Sequence, residues 1–285
     1  MKSIIILENE YLLHLCAEEK KGFYHIYDLH RLDTNDKKIY ERSENDLKIN
    51  IEIIRELIVK LKNISECKIR EPNVILPHAL SWYHYLEVED YPKNQNEAIE
   101  FIMWKIQKIM PIPKDNAIIR IQMLKKEKNI NKLLIVVTFK GFINSLENIL
   151  LTNGLQPERI ITPTLTFLNV FEKSLTRNGI VFWLREKDFS QILFKDDMPI
   201  FIREVDRPLE LSRADFEVMS IISNVRERYP DYEAANIFYF DELERSDLDS
   251  YFTDEIKKLS ITDKVVNKSS VVNIGPFICG LGALF

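Results

Sequence analysis

The sequence predicts an α/β fold made of two related lobes, with a smaller α/β subdomain inserted between them. Two observations predict it. The order strand-strand-strand-helix-strand-helix occurs twice along the 285 residues, and a separate run of helices and strands divides the two copies. The prediction rests on the order of elements, because no sequence identity between the halves is visible.

The first half opens with a meander of three strands. Short apolar and β-branched runs predict strands at 3–8, 11–17 and 23–29, with a tight turn at Lys20–Gly22. In the segment 42–63, apolar side chains recur every three or four residues from Leu47 to Leu61, which predicts an amphipathic helix, and Ser43 and Asp46 are spaced as its capping box. The segment "PNVILP" then predicts a short buried strand between two prolines.

The second half repeats this order. Strands are predicted at 180–185, 189–194 and 200–205, followed by a helix over 212–229 capped at Ser212, a strand at 235–240 and a helix at 248–259. The uncharged end, 271–285, predicts a buried strand and helix, because its 15 residues are too few to span a membrane as a helix.

The insertion between the halves predicts a subdomain of its own. It has helices at 94–110 and 142–154, and strands at 116–124 and 133–139 joined by the charged turn "KKEKNINK". Gly154 stands where a left-handed helix cap is needed, and Thr162 with Pro163 starts a helix that returns the chain to the first lobe. The predicted domains are a first lobe at 1–80 completed by 155–178, a subdomain at 81–154 and a second lobe at 179–285. This is the layout of the actin-like (ribonuclease H-like) fold, whose two lobes face a cleft.

Composition limits the classes of partner. The net charge is −5, which gives no global support for binding nucleic acid. Three cysteines without CxxC spacing indicate unpaired thiols in a reducing compartment, and the N-terminus lacks the features of a signal peptide. We therefore expect a cytoplasmic protein that does not bind nucleic acid.

Two segments carry a family resemblance. The stretch "EAIEFIMWKIQKIMPIPKDNAIIRIQML", with its Lys108–Pro111 element before a strand, and the stretch "LLIVVTFKGFINSLENILLTNGLQPERIITPTLTFLNVF" follow each other with the order and spacing seen in PilM. The chain thus resembles PilM, the cytoplasmic actin-like component of type IV pilus machines, and more distantly FtsA and the cytoplasmic domain of GspL. The resemblance implies an actin-like fold over nearly the whole chain and a place beside an inner-membrane assembly platform.

The nucleotide-binding elements that the resemblance implies have lost their glycines. Only seven of the 285 residues are glycine, about 2.5%, against about 7% in average proteins. The chain has no GxGxxG or GxxxxGK[ST] motif. The first phosphate loop corresponds to Ile5–Leu13, the second to Phe182–Ser190, and the adenosine-side Gly-Gly to Asp241 and Glu242. A side chain at a position that needs positive φ costs about 1–3 kcal/mol and fills space that a phosphate would use. We interpret the cleft as a vestigial nucleotide site and expect no cofactor.

ATP with Mg²⁺ stays open as the alternative. Asp28, Asp188, Asp206 and Asp241 each follow or end a predicted strand and could hold Mg²⁺, although carboxylates at such places are most often turn formers. The five histidines have no metal-binding spacing and the cysteines have no neighbouring acid–base partner in sequence, so no metal site and no nucleophile are predicted.

The helix at 94–110 is the predicted partner-binding element. Its apolar residues cover more than a one-sided stripe, which predicts either burial on two sides or one wall of a groove for a partner. The predicted partner-binding residues are Trp104, Lys105, Lys108, Met110 and Pro111. PilM-like proteins bind the cytoplasmic N-terminal segment of the bitopic membrane protein PilN beside this subdomain, so the resemblance implies a PilN-like partner.

These observations predict a non-catalytic scaffold of a type IV pilus, competence or type II secretion-like platform. It would lie peripheral to the inner membrane, held there indirectly by its PilN-like partner and by other platform proteins, and it could form homo-oligomers. An active PilM-like or sugar-kinase-like ATPase and an FtsA-like filament are the alternatives.

Overall fold

A computed structural model describes residues 1–42, 47–110, 112–172, 174–175, 178–210, 213–230, 232–233, 236–245, 248, 256–271 and 273–285. The strands in these residues are β1 (Lys2–Leu7), β2 (Tyr11–Lys20), β3 (Phe23–Asp33), β4 (Tyr40–Arg42), β5 (Leu47–Ile49), β6 (Asn73–Ile75), β7 (Ser81–Val88), β8 (Ala117–Glu127), β9 (Ile130–Phe139), β10 (Arg159–Ile161), β11 (Gly179–Leu184), β12 (Phe189–Lys195), β13 (Met198–Val205), β14 (Asn236–Asp241), β15 (Ile256–Lys258) and β16 (Val265–Asn267). The α-helices are α1 (Ile51–Ile64), α2 (Gln95–Ile106), α3 (Lys140–Thr152), α4 (Pro163–Phe171), α5 (Ala214–Arg228) and α6 (Ile278–Gly282).

Two sheets with the same strand order form the two lobes. The second sheet has the order β13-β12-β11-β14-β15, in which a three-strand antiparallel meander is followed by two parallel strands. The first sheet has the order β10-β6-β1-β2-β3-β16, and its first five strands follow the same plan. The predicted duplication and the actin-like α/β fold are therefore confirmed.

The crossover helix of the first lobe, α1, begins later than predicted. A short hairpin, β4–β5, takes up residues that the apolar spacing assigned to the helix, and α1 starts at Ile51. The side chain of Asn50 caps it by accepting a hydrogen bond from the Ile53 amide at 3.3 Å. The predicted capping residues Ser43 and Asp46 lie outside the described residues, as does Ser212, the predicted cap of α5.

The inserted subdomain is a three-stranded antiparallel sheet, β7-β9-β8, with α2 and α3. Its strand β7 was missed from the sequence because aromatic and polar residues alternate in "SWYHYLEV" without a bounding turn signal. Gly154 has φ of +73°, which confirms the predicted left-handed cap after α3.

The end of the chain returns to the first lobe, which differs from the predicted second-lobe boundary of 179–285. β16 pairs in parallel with β3, and the Asn73 side chain donates a hydrogen bond to the Ala283 carbonyl at 2.8 Å. A Cβ on Gly282 would lie 1.7 Å from the Thr166 carbonyl oxygen, so only glycine lets α6 approach α4 this closely. The terminal strand predicted before α6 is a 3₁₀ turn, Gly275–Phe277.

The helix predicted at 248–259 is wrong at its end, where β15 extends the second sheet; residues 249–255 lie outside the described part. No helix among the described residues is long and apolar enough to cross a membrane.

Around α4, one apolar core runs from the first lobe into the second. The rings of Phe167 on α4 and Trp183 on β11 stack with centroids 4.3 Å apart, and Phe240 of β14 packs edge-on against Phe167. This shared core holds the two lobes against each other and fixes the cleft between them.

Candidate functional site

Two equivalent hairpin turns face each other across the cleft between the lobes. In the β1–β2 turn the Glu8 amide donates to the Tyr11 carbonyl at 3.0 Å, and in the β11–β12 turn the Arg185 amide donates to the Asp188 carbonyl at 3.1 Å. We call residues 8–11 the first turn and residues 185–188 the second turn. They correspond to the two phosphate loops implied by the sequence resemblance.

Neither turn has a backbone that requires glycine. The positive-φ residues of the described chain all lie outside residues 8–11 and 185–188. The strain that we attributed to lost glycines is therefore absent, because these turns have adopted a conformation that any L-residue accepts. Their side chains, not their backbone, determine what the cleft can hold.

The cleft has a volume of about 580 Å³ and mixed charge. Lys187 of the second turn forms an ion pair with Glu10 of the first, directly between the lobes. The acidic side chains lining the cleft are Glu8, Glu10, Glu41, Glu186, Asp188 and Asp206, and the basic ones are Arg31, Lys38, Arg42, Arg185 and Lys187.

The guanidinium group of Arg185 is buried at the base of the cleft, with 7% of its side chain exposed. It donates to Asp188 in the second turn, to the Ser190 hydroxyl at 2.6 Å and to Glu204 Oε2 at 2.9 Å. The group also lies over the Trp183 ring, 4.7 Å from its centroid. Arg185 is therefore already bound to protein carboxylates, which occupy the donors that an anionic ligand would need.

Glu204 on β13 connects this network to the first lobe. Its Oε1 accepts a hydrogen bond from the Thr164 hydroxyl of α4 at 2.6 Å, and its Oε2 accepts one from Ser190 at 2.5 Å. Burial alone would raise the pKa of Glu204, but the Arg185 guanidinium together with the neighbouring His78 and the hydrogen bond from Ser190 outweighs burial and lowers the pKa to about 2. Glu204 is thus a carboxylate at neutral pH. It forms a buried charge pair with Arg185 inside the second lobe, and its hydrogen bond from Thr164 links that pair to the first lobe.

Two further acids are held toward their neutral forms. Burial, reinforced by Asp188, raises the pKa of Glu8 well above its ordinary value. Burial also raises the pKa of Glu242 to about 8, and Trp183 Nε1 donates to Glu242 Oε1 at 2.9 Å. His78 lies between Glu8 and Glu204, with its Nε2 3.6 Å from Glu8 Oε1 and its Nδ1 3.8 Å from Glu204 Oε2, and burial lowers its pKa.

The third nucleotide element is filled by the end of the chain. A Cβ on Gly275 would lie 2.2 Å from the Glu242 carbonyl oxygen, and Asn273 donates to the same carbonyl at 2.9 Å. Asp241 is bound by Arg245, with its nearest guanidinium contact at 2.8 Å. The loop after β14 therefore packs against protein where the resemblance implied an adenosine.

The four aspartates considered as Mg²⁺ ligands are not brought together. Asp188 and Asp206 line the cleft, but Asp188 pairs with Arg185 and Asp241 pairs with Arg245. Asp28 lies on β3 and forms part of a different cluster with two histidines. That cluster was missed from the sequence, because its members meet through strand register rather than sequence spacing.

The predicted partner-binding residues lie on or after α2. The expectation that this helix is covered on two sides is wrong, since its buried residues, Ala98, Ile102, Met103 and Ile106, form one face. Trp104 is 64% exposed, Lys105 lies over its ring, and Lys108 is exposed. Met110 packs partly against the core, and Pro111 lies outside the described residues.

A separate apolar groove of about 440 Å³ lies between the subdomain sheet, α4 and the β12–β13 hairpin. Its lining residues are Gln122, Leu124, Leu134, Leu165, Leu168, Asn169, Glu172, Leu175, Phe194, Asp197 and Pro199. None of the four predicted partner residues that the structure describes, Trp104, Lys105, Lys108 and Met110, lines it. Among the described residues that line it, the two charged ones, Glu172 and Asp197, are both acidic. The groove was not predicted, because it forms only where three distant segments meet.

Together, the two sheets of matching strand order, the cleft between their turns and the inserted subdomain define a protein of the actin-like fold. No family model matches the chain, and no curated protein is similar to it. Among solved structures, the chain is similar to a PilM–PilN type IV pilus biogenesis complex, with 13% identity, a TM-score of 0.72 and coverage of 99% of this chain and 96% of that one.

Two further structures share the fold. One is the cytoplasmic domain of EpsL, an inner-membrane component of the type II secretion system of Vibrio cholerae, with 10% identity, a TM-score of 0.55 and coverage of 99% and 94%. The other is a protein of Bacteroides thetaiotaomicron with an actin-like ATPase fold and unknown function, with 10% identity, a TM-score of 0.52 and coverage of 97% and 94%. At these identities the similarity concerns the fold.

Proposed function

We propose that this protein is a non-catalytic scaffold of a type IV pilus or type II secretion-like platform that binds the cytoplasmic segment of a bitopic inner-membrane protein. The observation that carries the proposal is the cross-lobe network of Arg185, Glu204 and Thr164, which fills the base of the cleft with protein ion pairs. The fold similarity to a PilM–PilN complex supports the class of partner.

The charge of the cleft argues against a nucleotide. A polyphosphate would have to displace the Lys187–Glu10 and Arg185–Asp188 pairs and then lie beside the released carboxylates. Like charges in a partly desolvated cleft repel by several kcal/mol at an effective dielectric constant near 20. The first turn supplies Glu10, so it adds repulsion where a phosphate loop supplies backbone donors.

An ATPase remains the second candidate because the cleft is large and holds five basic side chains. Titration of the purified chain with fluorescent ATP and Mg²⁺ separates the two functions. We expect no saturable binding below millimolar nucleotide. A Kd below about 10 μM, which corresponds to about 7 kcal/mol, would refute the scaffold-only proposal.

For the partner, the apolar groove fits better than the exposed face of α2. Cytoplasmic segments next to a membrane span carry an excess of Lys and Arg. A basic, apolar peptide would find leucine side chains along the groove and the acidic Glu172 and Asp197 at its wall. The α2 face offers Trp104, but its neighbouring lysines Lys105 and Lys108 would repel such a peptide.

Where a short bitopic membrane protein is encoded next to this chain, a synthetic peptide of its cytoplasmic segment is the test ligand. Leu168→Asp in the groove should weaken peptide binding at least tenfold, whereas Trp104→Asp should leave it within about twofold, with each loss of about 1.4 kcal/mol equal to a factor of ten. Unchanged thermal unfolding of both variants is the folding control. A large effect of Trp104→Asp, or of Trp104→Ala, with none from Leu168→Asp would return the site to the sequence-predicted residues.

A further inference from the structure

Two histidines and an aspartate form a compact cluster beneath the end of α1, on the first lobe and outside the cleft. His14 on β2 and His30 on β3 are directly opposite each other in the antiparallel register, and Asp28 lies two residues before His30. One potential ligand atom from each of the three residues lies within 4.8 Å of the other two. Opposite positions on adjacent strands are only about 4.5–5.5 Å apart at Cβ, so register alone brings the two imidazoles together.

The ring of His14 has one nitrogen without a protein partner. The side chain is fully buried, and its Nδ1 makes no hydrogen bond. This atom lies 3.9 Å from Asp28 Oδ2, which is too long for a hydrogen bond. Nitrogen and oxygen ligands around tetrahedral zinc, with bonds of about 2.0–2.1 Å, stand about 3.3 Å apart, so these two atoms would approach by about 0.6 Å on sharing a metal.

Neighbouring side chains orient the members of the cluster by hydrogen bonds, as is usual for metal ligands. His14 Nε2 lies 3.0 Å from the Ser3 hydroxyl, which can accept a hydrogen bond from Nε2–H. In that tautomer Nδ1 carries the free lone pair, on the side of Asp28. The Ser65 hydroxyl donates to Asp28 Oδ2 at 2.9 Å, while His30 Nε2 lies 2.8 Å from Asp28 Oδ1.

Thiols lie beside the cluster. Cys16 is opposite Asp28 on the same strand pair. The Cys67 amide donates to the Ser65 hydroxyl at 3.2 Å, which places Cys67 next to the group that holds Asp28. Neither thiol belongs to the group of ligand atoms within 4.8 Å of one another, so Cys67 would reach the fourth position only by movement of its side chain, whereas 23% exposure of the His30 side chain gives water access.

We propose that His14, Asp28 and His30 bind one divalent transition-metal ion, of the zinc class, with Cys67 or water as the fourth ligand. Two imidazoles and a carboxylate are a donor set that zinc accepts and that calcium and magnesium do not prefer. The ion would join β2 and β3 to the segment after α1, so its role is to stabilise the first lobe. The proposal does not depend on the scaffold function or on the state of the cleft.

The test begins with the full chain stripped by chelator, dialysed and titrated with Zn²⁺ alone, with bound metal measured by mass spectrometry. We expect one zinc per chain and a higher melting temperature with zinc, because a ligand that binds only the folded state stabilises it. His30→Ala should lose both effects. His25→Ala, on the same strand but outside the cluster, should keep both.

Cobalt and conservative variants complete the design. Asp28→Asn keeps an acceptor for Ser65 but weakens the ligand, so it reports on binding even if His30→Ala unfolds. Ser3→Ala should lower affinity by about 10–100-fold through His14 alone. A sulfur-to-cobalt charge-transfer band lost in Cys67→Ser would assign the fourth ligand to Cys67, and no such band would assign it to water. Equal zinc uptake by the wild-type chain and Asp28→Asn, or none by the wild-type chain, would overturn the proposal.

Discussion

The two turns that face each other across the cleft share a backbone and differ in chemistry. Each closes with a hydrogen bond from the amide of its first residue to the carbonyl of its fourth, but the first turn begins with Glu8 and the second with Arg185. The duplicated fold therefore preserves a geometry while the side chains diverge. The sequence resemblance implied two phosphate loops at these positions, whereas the two turns bind each other through Lys187 and Glu10.

The sharpest test of this difference replaces the first residue of each turn with glutamine. Arg185→Gln leaves Glu204 and Asp188 without their buried cation, and breaking a buried pair in this way costs about 3–5 kcal/mol. Glu8→Gln should cost little at neutral pH, because burial already raises the pKa of this carboxyl toward its neutral form. Urea unfolding of both variants measures the contrast.

The exposed Arg203 on β13 provides the control, since Arg203→Gln should change the free energy of unfolding by no more than about 0.5 kcal/mol. Similar losses from Arg185→Gln and Glu8→Gln would mean that the two turns contribute alike. The asymmetry that supports the scaffold proposal would then be lost.

The order of elements could be predicted from the sequence, because the apolar periodicity changes clearly between strands and helices. The start of α1 could not, since Leu47 fits both the helical spacing and the β5 strand that it forms. The exposure of Trp104 also could not be predicted, because an apolar side chain on a helix does not reveal which face of the helix the sheet covers.

The contacts that define the candidate sites join residues far apart in sequence. Thr164 meets Glu204 across 40 positions, and Lys187 meets Glu10 across 177. The pairing of His14 with His30 depends on the register of β2 against β3. A bulge between Cys16 and Ala17 shifts that register along part of the same pair. Sequence reasoning found the turns because they follow strands, but their mutual pairing required the assembled lobes.

The pH dependence of stability sharpens the comparison at the third element, Glu242. Its pKa is about 8 in the folded protein and near 4.5 when unfolded, so unfolding releases a proton between these values and stability falls as pH rises through this window. The cost reaches up to about 1.4 kcal/mol per pH unit. Above pH 8 the effect is complete.

Glu242→Gln keeps an oxygen for Trp183 and removes the titration, so its melting temperature should fall less between pH 5 and pH 8 than that of the wild-type chain. Glu244→Gln, at an exposed position two residues later, should follow the wild-type profile. Parallel profiles for Glu242→Gln and the wild-type chain would show that other groups set the pH dependence.

The smallest expected effect belongs to the ion pair between the turns. Lys187 and Glu10 are 61% and 43% exposed, so their coupling energy in a double-mutant cycle with Lys187→Met and Glu10→Gln should be only about 0.2–1 kcal/mol. It should shrink further in 1 M salt, where screening acts within about 3 Å. If the Lys187–Glu10 pair alone keeps a polyphosphate out of the cleft, the double variant should gain ATP binding that the wild-type chain lacks. If the buried Arg185–Glu204 pair is what excludes the nucleotide, as we propose, the double variant should bind ATP no better than the wild-type chain. The Lys187–Glu10 pair would then contribute little to the exclusion of nucleotide from the cleft.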